Sequence, residues 1–143
     1  MRYRYFKFRH PSEPSLIKLE PIIPVTLRYE NAQRVVYAVV DSGADSCMFH
    51  SSVARTLGID LKSGKPDIVK GLSLDVIPAY AHTILLGLKG EPFVEIEVLF
   101  LELALIPDGG LLGQEGFFDQ FSVTFQRWQD AIHITKRQGW KSR

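Results

Sequence analysis

Hydrophobic residues along most of the chain alternate with polar ones or form short apolar runs, and both patterns are typical of β-strands. Residues 22–23 with 25–29 predict one strand and residues 34–40 the next, with a turn between them. Residues 35–40 are apolar at nearly every position, which is expected of a strand buried on both faces. Further strands are predicted at residues 67–69, 76–88, 93–101, 122–125 and 131–135.

Two segments have helical signals instead. Ser51 or Ser52 can cap the N-terminus of a helix of about two turns, which would end at Gly58 in the left-handed conformation. Residues 114–121 predict a second short helix with its phenylalanine side chains on the inner side. Turns are expected near residue 73, at residues 89–92 and at residues 107–110. Many short strands with only two brief helices indicate an all-β sandwich or barrel.

The first twenty residues have a different character. Residues 1–9 alternate basic with aromatic side chains, but the alternation changes phase between Tyr5 and Phe6. This change predicts a bulge or an early strand end. Residues 11–15 contain two prolines and two serines and predict a linker-like break. We therefore expect an N-terminal strand and linker at residues 1–20, followed by one domain at residues 21–143.

Composition narrows the class of protein. The 143 residues predict one domain, with 45% hydrophobic and 23% charged residues. A net charge of +1 gives no overall attraction to nucleic acid or to an anionic membrane, and no apolar stretch is long enough for a membrane span. No signal peptide is expected at the polar-aromatic N-terminus. The single cysteine, Cys47, excludes an internal disulfide and favours a reducing compartment, so a cytoplasmic location is expected.

The most informative chemical feature is the Asp41-Ser42-Gly43 turn, which directly follows the apolar strand. Such a strand fixes the backbone, and we expect Gly43 to permit a conformation that a side chain would block. Neighbouring backbone and hydroxyl groups can then orient the carboxylate oxygens. From these residues alone, an ordinary loop between a strand and a helix remains open as an alternative.

Residues 39–46, Val-Val-Asp-Ser-Gly-Ala-Asp-Ser, resemble the active-site segment of retropepsin-like aspartic proteases. About seventy residues later, Leu111-Leu112-Gly113 is similar to the second signature of that family, two hydrophobic residues and a glycine that open a short helix. The resemblance covers roughly residues 21–135, with the motifs in the family's order. It implies an all-β fold, a closed acid-protease (retropepsin-like) barrel lobe with one or two short helices.

The resemblance also implies roles for individual residues. Asp41 would be the catalytic carboxylate, and the Ser42 hydroxyl would reach across a dimer axis. Gly43 and Ala44 would present backbone groups to an extended substrate, and Asp45 would hold the substrate main chain or brace the loop. The flap that closes over the substrate would be formed by Gly71, Leu72, Ser73 and Leu74.

One position departs from the pattern. Viral members usually carry an arginine directly after the glycine of the second signature, paired with the aspartate that corresponds to Asp45. Here that position is Gln114, so the ion pair is absent unless Asp45 pairs with another cation, such as Arg55 or Arg127.

Aspartic protease chemistry needs two carboxylates that share one proton, and the sequence contains one Asp-Ser-Gly motif. A single chain would hold half a site, which predicts a C2 homodimer with Asp41 of each copy on the axis. The expected activity is an aspartic endopeptidase acting on an extended polypeptide, without metal or organic cofactor. The alternatives are a catalytically weak or inactive dimerisation or peptide-binding module of the same fold, and an unrelated β-barrel binding protein.

Other motifs carry less weight. Residues 58–65 lack the spacing and the Ser/Thr of a phosphate loop, and the Cys47–His50 pair has no second pair to complete a zinc site. We expect Cys47 to be a buried small hydrophobe. The basic-aromatic residues 1–9 are compatible with a nucleic-acid platform, but the near-neutral charge favours a terminal strand. The resemblance implies a further use for this strand, because the chain termini of retropepsin-like dimers often interleave at the interface, where residues 1–9 would pair with residues 132–135. Glu95 and Glu97 fit a half-exposed strand face.

Overall fold

A computed structural model of the chain describes residues 1–71, 73–102 and 109–139. In these residues the chain forms twelve strands, one α-helix and two short 3-10 helices. The strands are β1 (Arg2–Tyr3), β2 (Phe6–His10), β3 (Glu13–Glu20), β4 (Ile22–Tyr29), β5 (Ala32–Val40), β6 (Met48–His50), β7 (Lys65–Lys70), β8 (Val76–Gly87), β9 (Val94–Leu101), β10 (Gly110–Leu112), β11 (Phe121–Gln126) and β12 (Ala131–Lys136). The helix α1 is Ser51–Thr56, and the 3-10 helices are Leu61–Ser63 and Arg127–Gln129.

One sheet carries most of the fold, with the strand order β4-β5-β10-β6-β9-β8-β7. Strand β4 also pairs with β8, from Thr26↔Gly87 to Arg28↔Leu85, and this second pairing closes the sheet into a barrel. Alternate residues of each strand point inward, so Ile23, Val25 and Leu27 of β4 are buried together with the rings of the core phenylalanines. The closed all-β barrel predicted from the sequence is confirmed.

Strand β5 corrects one expectation. Its inward residues Val36, Ala38 and Val40 are buried, but Val35 and Tyr37 are 59% and 53% exposed. The prediction of burial on both faces was wrong because, within the described part of the chain, no second layer covers the outer face of β5 along its length. Near Tyr37 the ring of Phe6 lies 6.1 Å away, edge to face.

The N-terminal segment, residues 1–20, contains three strands, which is more regular structure than the predicted strand and linker. Strand β1 pairs with β12 of the same chain, Arg2↔His133 and Tyr3↔Ile132. The strand structure is interrupted between β1 and β2, next to the position where the alternation changes phase. Only Pro11 and Ser12 form a turn, and β3 pairs with β2 in a hairpin. The linker-like break predicted at residues 11–15 is therefore confined to the turn at Pro11 and Ser12, because residues 13–20 form a strand. The domain division at residue 20 stays a prediction.

Asp130 anchors this N-terminal segment to the barrel. Its Oδ1 accepts a hydrogen bond from the Tyr5 N–H at 3.0 Å, and its Oδ2 lies 3.2 Å from both Arg4 Nε and Lys7 Nζ. Burial acts against ionisation of this carboxyl. The hydrogen bonds from Lys7 and Tyr5 and the positive charges of Lys7 and Arg4 outweigh it, so the pKa of Asp130 is lower than its usual value.

Asp130→Asn is expected to remove part of the acid dependence of stability. A carboxylate with a lowered pKa in the folded state adds stability above its unfolded pKa, and this is lost as the pH falls through the folded pKa, below about 4. Urea midpoints of the wild type should therefore fall between neutral pH and about pH 3 more than those of Asp130→Asn. Asp60→Asn, at an exposed carboxylate, is the control. Equal acid losses in wild type and Asp130→Asn would contradict this account of the anchor.

The helical predictions were partly right. Helix α1 ends as expected, with Gly58 at a φ of +72°, but its N-cap is His50, whose side chain accepts a hydrogen bond from the Ser52 N–H at 3.1 Å. Ser51 does not cap the helix, because its hydroxyl donates to Glu102. The second predicted helix, at residues 114–121, is instead a series of turns.

Gly116 explains why that second segment is not helical. Its φ is +95°, outside the right-handed helical region, and the N–H groups of Phe118 and Asp119 donate to carbonyls five residues back rather than four. The inward position of Phe117 and Phe121 is nevertheless as predicted, since both are buried. Among the described residues, no helix has the length and apolar composition needed to cross a membrane. Of the predicted turn at residues 107–110, residues 107 and 108 lie outside the described residues.

Candidate active site

The loop that carries Asp41 is held between neighbouring strands. Strand β10 runs parallel to β5, with Leu112 opposite Val40, and antiparallel to β6, with Leu111 opposite Met48. Asp41 directly follows β5, and its N–H donates to the Leu112 carbonyl at 3.0 Å. The two motifs singled out in the sequence, seventy residues apart, are therefore adjacent in the barrel.

The carboxylate of Asp41 is oriented by its own loop. Its Oδ1 accepts a hydrogen bond from the Gly43 N–H at 2.9 Å, and its main-chain carbonyl accepts one from the Ala44 N–H at 3.2 Å. The backbone of Gly43 is not left-handed, and a Cβ at this position would lie 3.2 Å from Asp41 Oδ1. Glycine is therefore suited to this position because it leaves room beside the carboxylate, rather than because of an unusual φ.

Gly113 fits where two backbones cross. The segment after it donates two hydrogen bonds to the Asp41 loop, from the Gln114 N–H to the Ala44 carbonyl and from the Glu115 N–H to the Asp45 carbonyl, both at 2.8 Å. A Cβ on Gly113 would lie 2.7 Å from the Ala44 carbonyl oxygen and closer still to that of Ser46. No side chain fits there without moving the loop.

The side chain of Gln114 adds a further contact. Its Nε2 donates to the Ser42 carbonyl at 2.6 Å. Arg55 lies 4.0 Å from Glu102, and no ion pair of the described residues includes Asp45. Pairing of Asp45 with Arg55 or Arg127, one of the two alternatives that the sequence left open, is not found among the described residues. An amide-to-carbonyl hydrogen bond braces the loop, where an ion pair had been considered.

Strands β7 and β8 form a hairpin at the position predicted for the flap. They pair from Lys65↔Ala81 to Lys70↔Val76, and at the tip the Gly71 N–H donates to the Asp75 carbonyl at 3.2 Å. Leu74, at the tip, is 83% exposed with a φ of +64°. Leu72 lies outside the described residues.

A cleft of about 860 Å³ separates the Asp41 loop from the hairpin. The loop contributes Asp41, Gly43, Ala44, Asp45 and Ser46, the hairpin contributes Asp67, Ile68, Val69, Lys70, Gly71 and Ser73, and the apolar floor is Met48, Leu99 and Leu111. Of the predicted site residues, Ser42, Leu74, Leu112 and Gly113 do not line this cleft. Leu112 and Gly113 lie behind the loop and support it.

Several cleft residues were not anticipated from the sequence. Met48 and Leu99 lie opposite each other in the parallel pairing of β6 with β9, and Leu111 lies opposite Met48. These three side chains therefore form one row across three strands. A second cavity of about 630 Å³ shares Ser46, Asp67 and Leu99 with the cleft. Its other lining residues include four carboxylates, those of Glu95, Glu97, Glu115 and Asp119.

Cys47 lies directly behind the site. Its side chain is buried, and its Sγ accepts a hydrogen bond from the Gly113 N–H at 3.4 Å. Burial raises the pKa of the Cys47 thiol to about 11, so it is protonated at neutral pH and unsuited to nucleophilic attack. The prediction of a buried small hydrophobe is confirmed. In the described part of the chain, no group of three or more His, Cys, Asp or Glu side chains is arranged to hold a metal ion.

The basic-aromatic N-terminus is partly used within the fold. Arg4 and Lys7 contact Asp130, and Tyr5 is buried. These contacts support the interpretation as a terminal strand, while the absence of nucleic-acid binding stays a prediction.

Comparisons with known proteins agree with this geometry. A profile of the aspartyl protease family matches residues 23–115, well over half of the chain. A search of curated proteins found no significant match. Among solved structures, a retropepsin-like aspartic protease from Rickettsia conorii aligns with a TM-score of 0.60 and 18% identity, over 94% of this chain and 98% of that one. EIAV protease complexed with the inhibitor HBY-793 aligns with a TM-score of 0.49 and 16% identity, over 66% of this chain and 82% of that one.

The fold and the family match define an aspartic-type peptidase with a retropepsin-like barrel. The chain belongs to the aspartyl protease family. The resemblance drawn from residues 39–46 and 111–113 is thereby confirmed.

Proposed function

We propose that the chain is an aspartic endopeptidase that works as a homodimer, with Asp41 of each copy forming the catalytic pair. The single observation that carries this proposal is the cleft, in which Asp41 faces the hairpin of β7 and β8 above an apolar floor. Family membership supplies the reaction class. Among the described residues that line the cleft, no second Asp-Ser-Gly loop is present. The catalytic pair therefore needs Asp41 from a second copy of the chain.

The chemistry follows from two carboxylates that share a proton. One takes a proton from the attacking water, while the other donates its proton to the carbonyl oxygen of the scissile peptide bond. Two carboxylates at contact distance do not both ionise, so the pair holds one proton over a range of pH. We expect an acidic to mildly acidic optimum, because activity ends when that proton is lost.

The substrate class follows from the shape of the cleft. An extended polypeptide exposes backbone N–H and carbonyl groups along both of its edges. In the cleft, one edge would face the backbone of Gly43 and Ala44, and the other would face strand β7 of the hairpin. Met48, Leu99 and Leu111 form an apolar floor that suits an apolar substrate side chain. The hairpin tip, with Gly71 and Ser73, would act as the flap that excludes water when the polypeptide is bound. A cytoplasmic location remains a prediction.

A catalytically weak or inactive peptide-binding module is the second candidate. The observation that favours it is Gln114, at a position where viral members usually carry arginine. Two hydrogen bonds favour the enzyme, namely that from the Gly43 N–H to the Asp41 carboxylate and that from the Gln114 amide to the Ser42 carbonyl, because both hold the loop in a defined geometry.

One experiment separates these candidates. The wild type is incubated with an unbiased peptide library from about pH 3 to pH 8, and its mass is measured by light scattering at the assay concentration. The enzyme proposal predicts cleavage that is strongest on the acidic side, and a dimer mass. A folded dimer without cleavage at any pH would favour the module. A strict monomer that cleaves peptides would contradict the shared catalytic pair.

A further inference from the structure

Gln114 contacts the catalytic loop on both sides of Gly43. Its main-chain N–H donates to the Ala44 carbonyl at 2.8 Å, and its side-chain Nε2 donates to the Ser42 carbonyl at 2.6 Å. Its own carbonyl accepts the Asp119 N–H at 3.1 Å, which ties Gln114 to the turns that follow. The Ser42 carbonyl belongs to the same peptide group as the Gly43 N–H, so the Gln114 amide holds the very peptide group whose N–H orients the Asp41 carboxylate.

We propose that Gln114 is a positioning residue for Asp41. The uncharged amide of Gln114 holds the catalytic loop in place across the acidic pH range in which the carboxylate pair works. This inference rests on the proposed function. The physical reason is that an amide donor keeps its proton at every pH of interest, whereas a brace that needs an ionised carboxylate weakens as that carboxylate is protonated.

The charged groups around Gln114 make this distinction testable. Asp41 and Asp45 lie on the loop, and Glu115 and Asp119 lie on its own segment. Lys70, on the hairpin, is the one cation among the residues that line the cleft in the described part of the chain, and Arg137 lines the second cavity together with Glu115 and Asp119. The carboxylates of the two cavities outnumber these two cations. The loop therefore lies in mainly acidic surroundings. An added carboxylate at position 114 would be repelled when ionised, and would donate a hydrogen bond when protonated.

The test compares two substitutions that alter the amide differently. Gln114→Met keeps the length of the side chain but removes the donor, so kcat should fall about tenfold at every pH, with KM changed much less. Gln114→Glu restores the donor only when its carboxyl is protonated. The ratio of kcat in Gln114→Glu to kcat in the wild type should therefore approach one in acid. It should fall about tenfold as the pH rises through the glutamate pKa, ordinarily about 4.3.

Gln120→Glu is the matched control. Its amide also donates to main-chain carbonyls, that of Gly116 in the same segment at 3.1 Å and that of Glu95 in β9 at 3.4 Å, but it does not contact the Asp41 loop. The same change in charge is thus made six residues away. A long-range effect of the added charge would raise the pKa of the catalytic pair and shift activity toward higher pH, opposite to the loss expected for Gln114→Glu.

A second readout does not depend on activity. Hydrogen exchange at the Gly43 and Ala44 amides, relative to wild type at the same pH, should be faster in Gln114→Met throughout, and faster in Gln114→Glu only above the glutamate pKa. Wild-type kcat and exchange in Gln114→Met, or a Gln114→Glu profile parallel to that of Gln120→Glu, would overturn the inference. An inactive wild type would instead reject the proposed function, and the exchange comparison would still decide the role of Gln114.

Discussion

Asp41→Asn is expected to lower kcat/KM at least about 1,000-fold while the barrel and the subunit association survive. The asparagine amide cannot exchange a proton with water or with the scissile carbonyl, so the pair loses its acid and its base. Its side-chain oxygen still accepts the Gly43 N–H that now bonds to Asp41 Oδ1. The loss should therefore appear in kcat, with the free energy of unfolding almost unchanged.

This prediction is measured by progress curves on a cleavable peptide from the library, beside urea unfolding of the same samples. Asp60→Asn is the control, because Asp60 is exposed and its side chain makes no capping hydrogen bond to the 3-10 helix that follows it. Wild-type cleavage by Asp41→Asn would remove Asp41 from the mechanism. A large loss of stability in Asp41→Asn would assign the residue a structural role instead.

Gly113→Ala is expected to have the largest effect on stability, about 3 kcal/mol or more, together with loss of activity. The added methyl group would meet the carbonyl oxygens of Ala44 and Ser46, which belong to backbone rather than to a movable side chain. Relief of this contact requires the segment after β10 to move away from the Asp41 loop. The hydrogen bonds from Gln114 and Glu115 to that loop would then be broken.

Gly90→Ala separates this contact from backbone strain. Gly90 has a φ of +81° and open space where a Cβ would stand, so alanine there should cost about 1 kcal/mol without affecting activity. Thermal and urea unfolding of both variants provide the comparison. A loss in Gly113→Ala no larger than that in Gly90→Ala would mean that the two backbones are not as closely packed as described.

The alternation of apolar residues predicted most of the barrel because it depends on which residues face inward. Strand β4 buries one face, and the limits of β4, β8 and β9 differ from the prediction by at most one residue. In β9 the alternation holds only in the first half, because residues 98–101 are all buried. The same reasoning failed for β5, because hydrophobicity alone does not reveal whether a second layer covers the outer face. Val35 and Tyr37 are apolar and yet exposed.

Local sequence was less reliable at chain reversals. The phenylalanines of residues 114–121 have a spacing that fits an inner helical face, and two of them are buried, but the left-handed Gly116 turns the segment into a series of turns. At α1, two serines looked like the natural N-cap, and His50 takes that position because Ser51 is used by Glu102. Competition among nearby hydrogen-bond partners decides such details.

The site was predictable in its motifs and not in its contacts. Asp41 and Gly113 are recognised because each belongs to a short motif that resembles a family signature. The floor residues Met48 and Leu99 come together through the register of strands that are distant in sequence. The bond from Gln114 to Ser42 likewise depends on the crossing of two backbones. Neither has a signal in the local sequence.

Subunit mixing tests the central claim most directly, namely that each active site uses one Asp41 from each of two copies. Wild-type and Asp41→Asn chains are unfolded together, refolded at constant total concentration, and assayed over a range of mixing ratios. If the copies share one site, activity follows the square of the wild-type fraction, so an equal mixture retains about one quarter of the wild-type rate. A linear decline, with about one half retained, would contradict the shared pair.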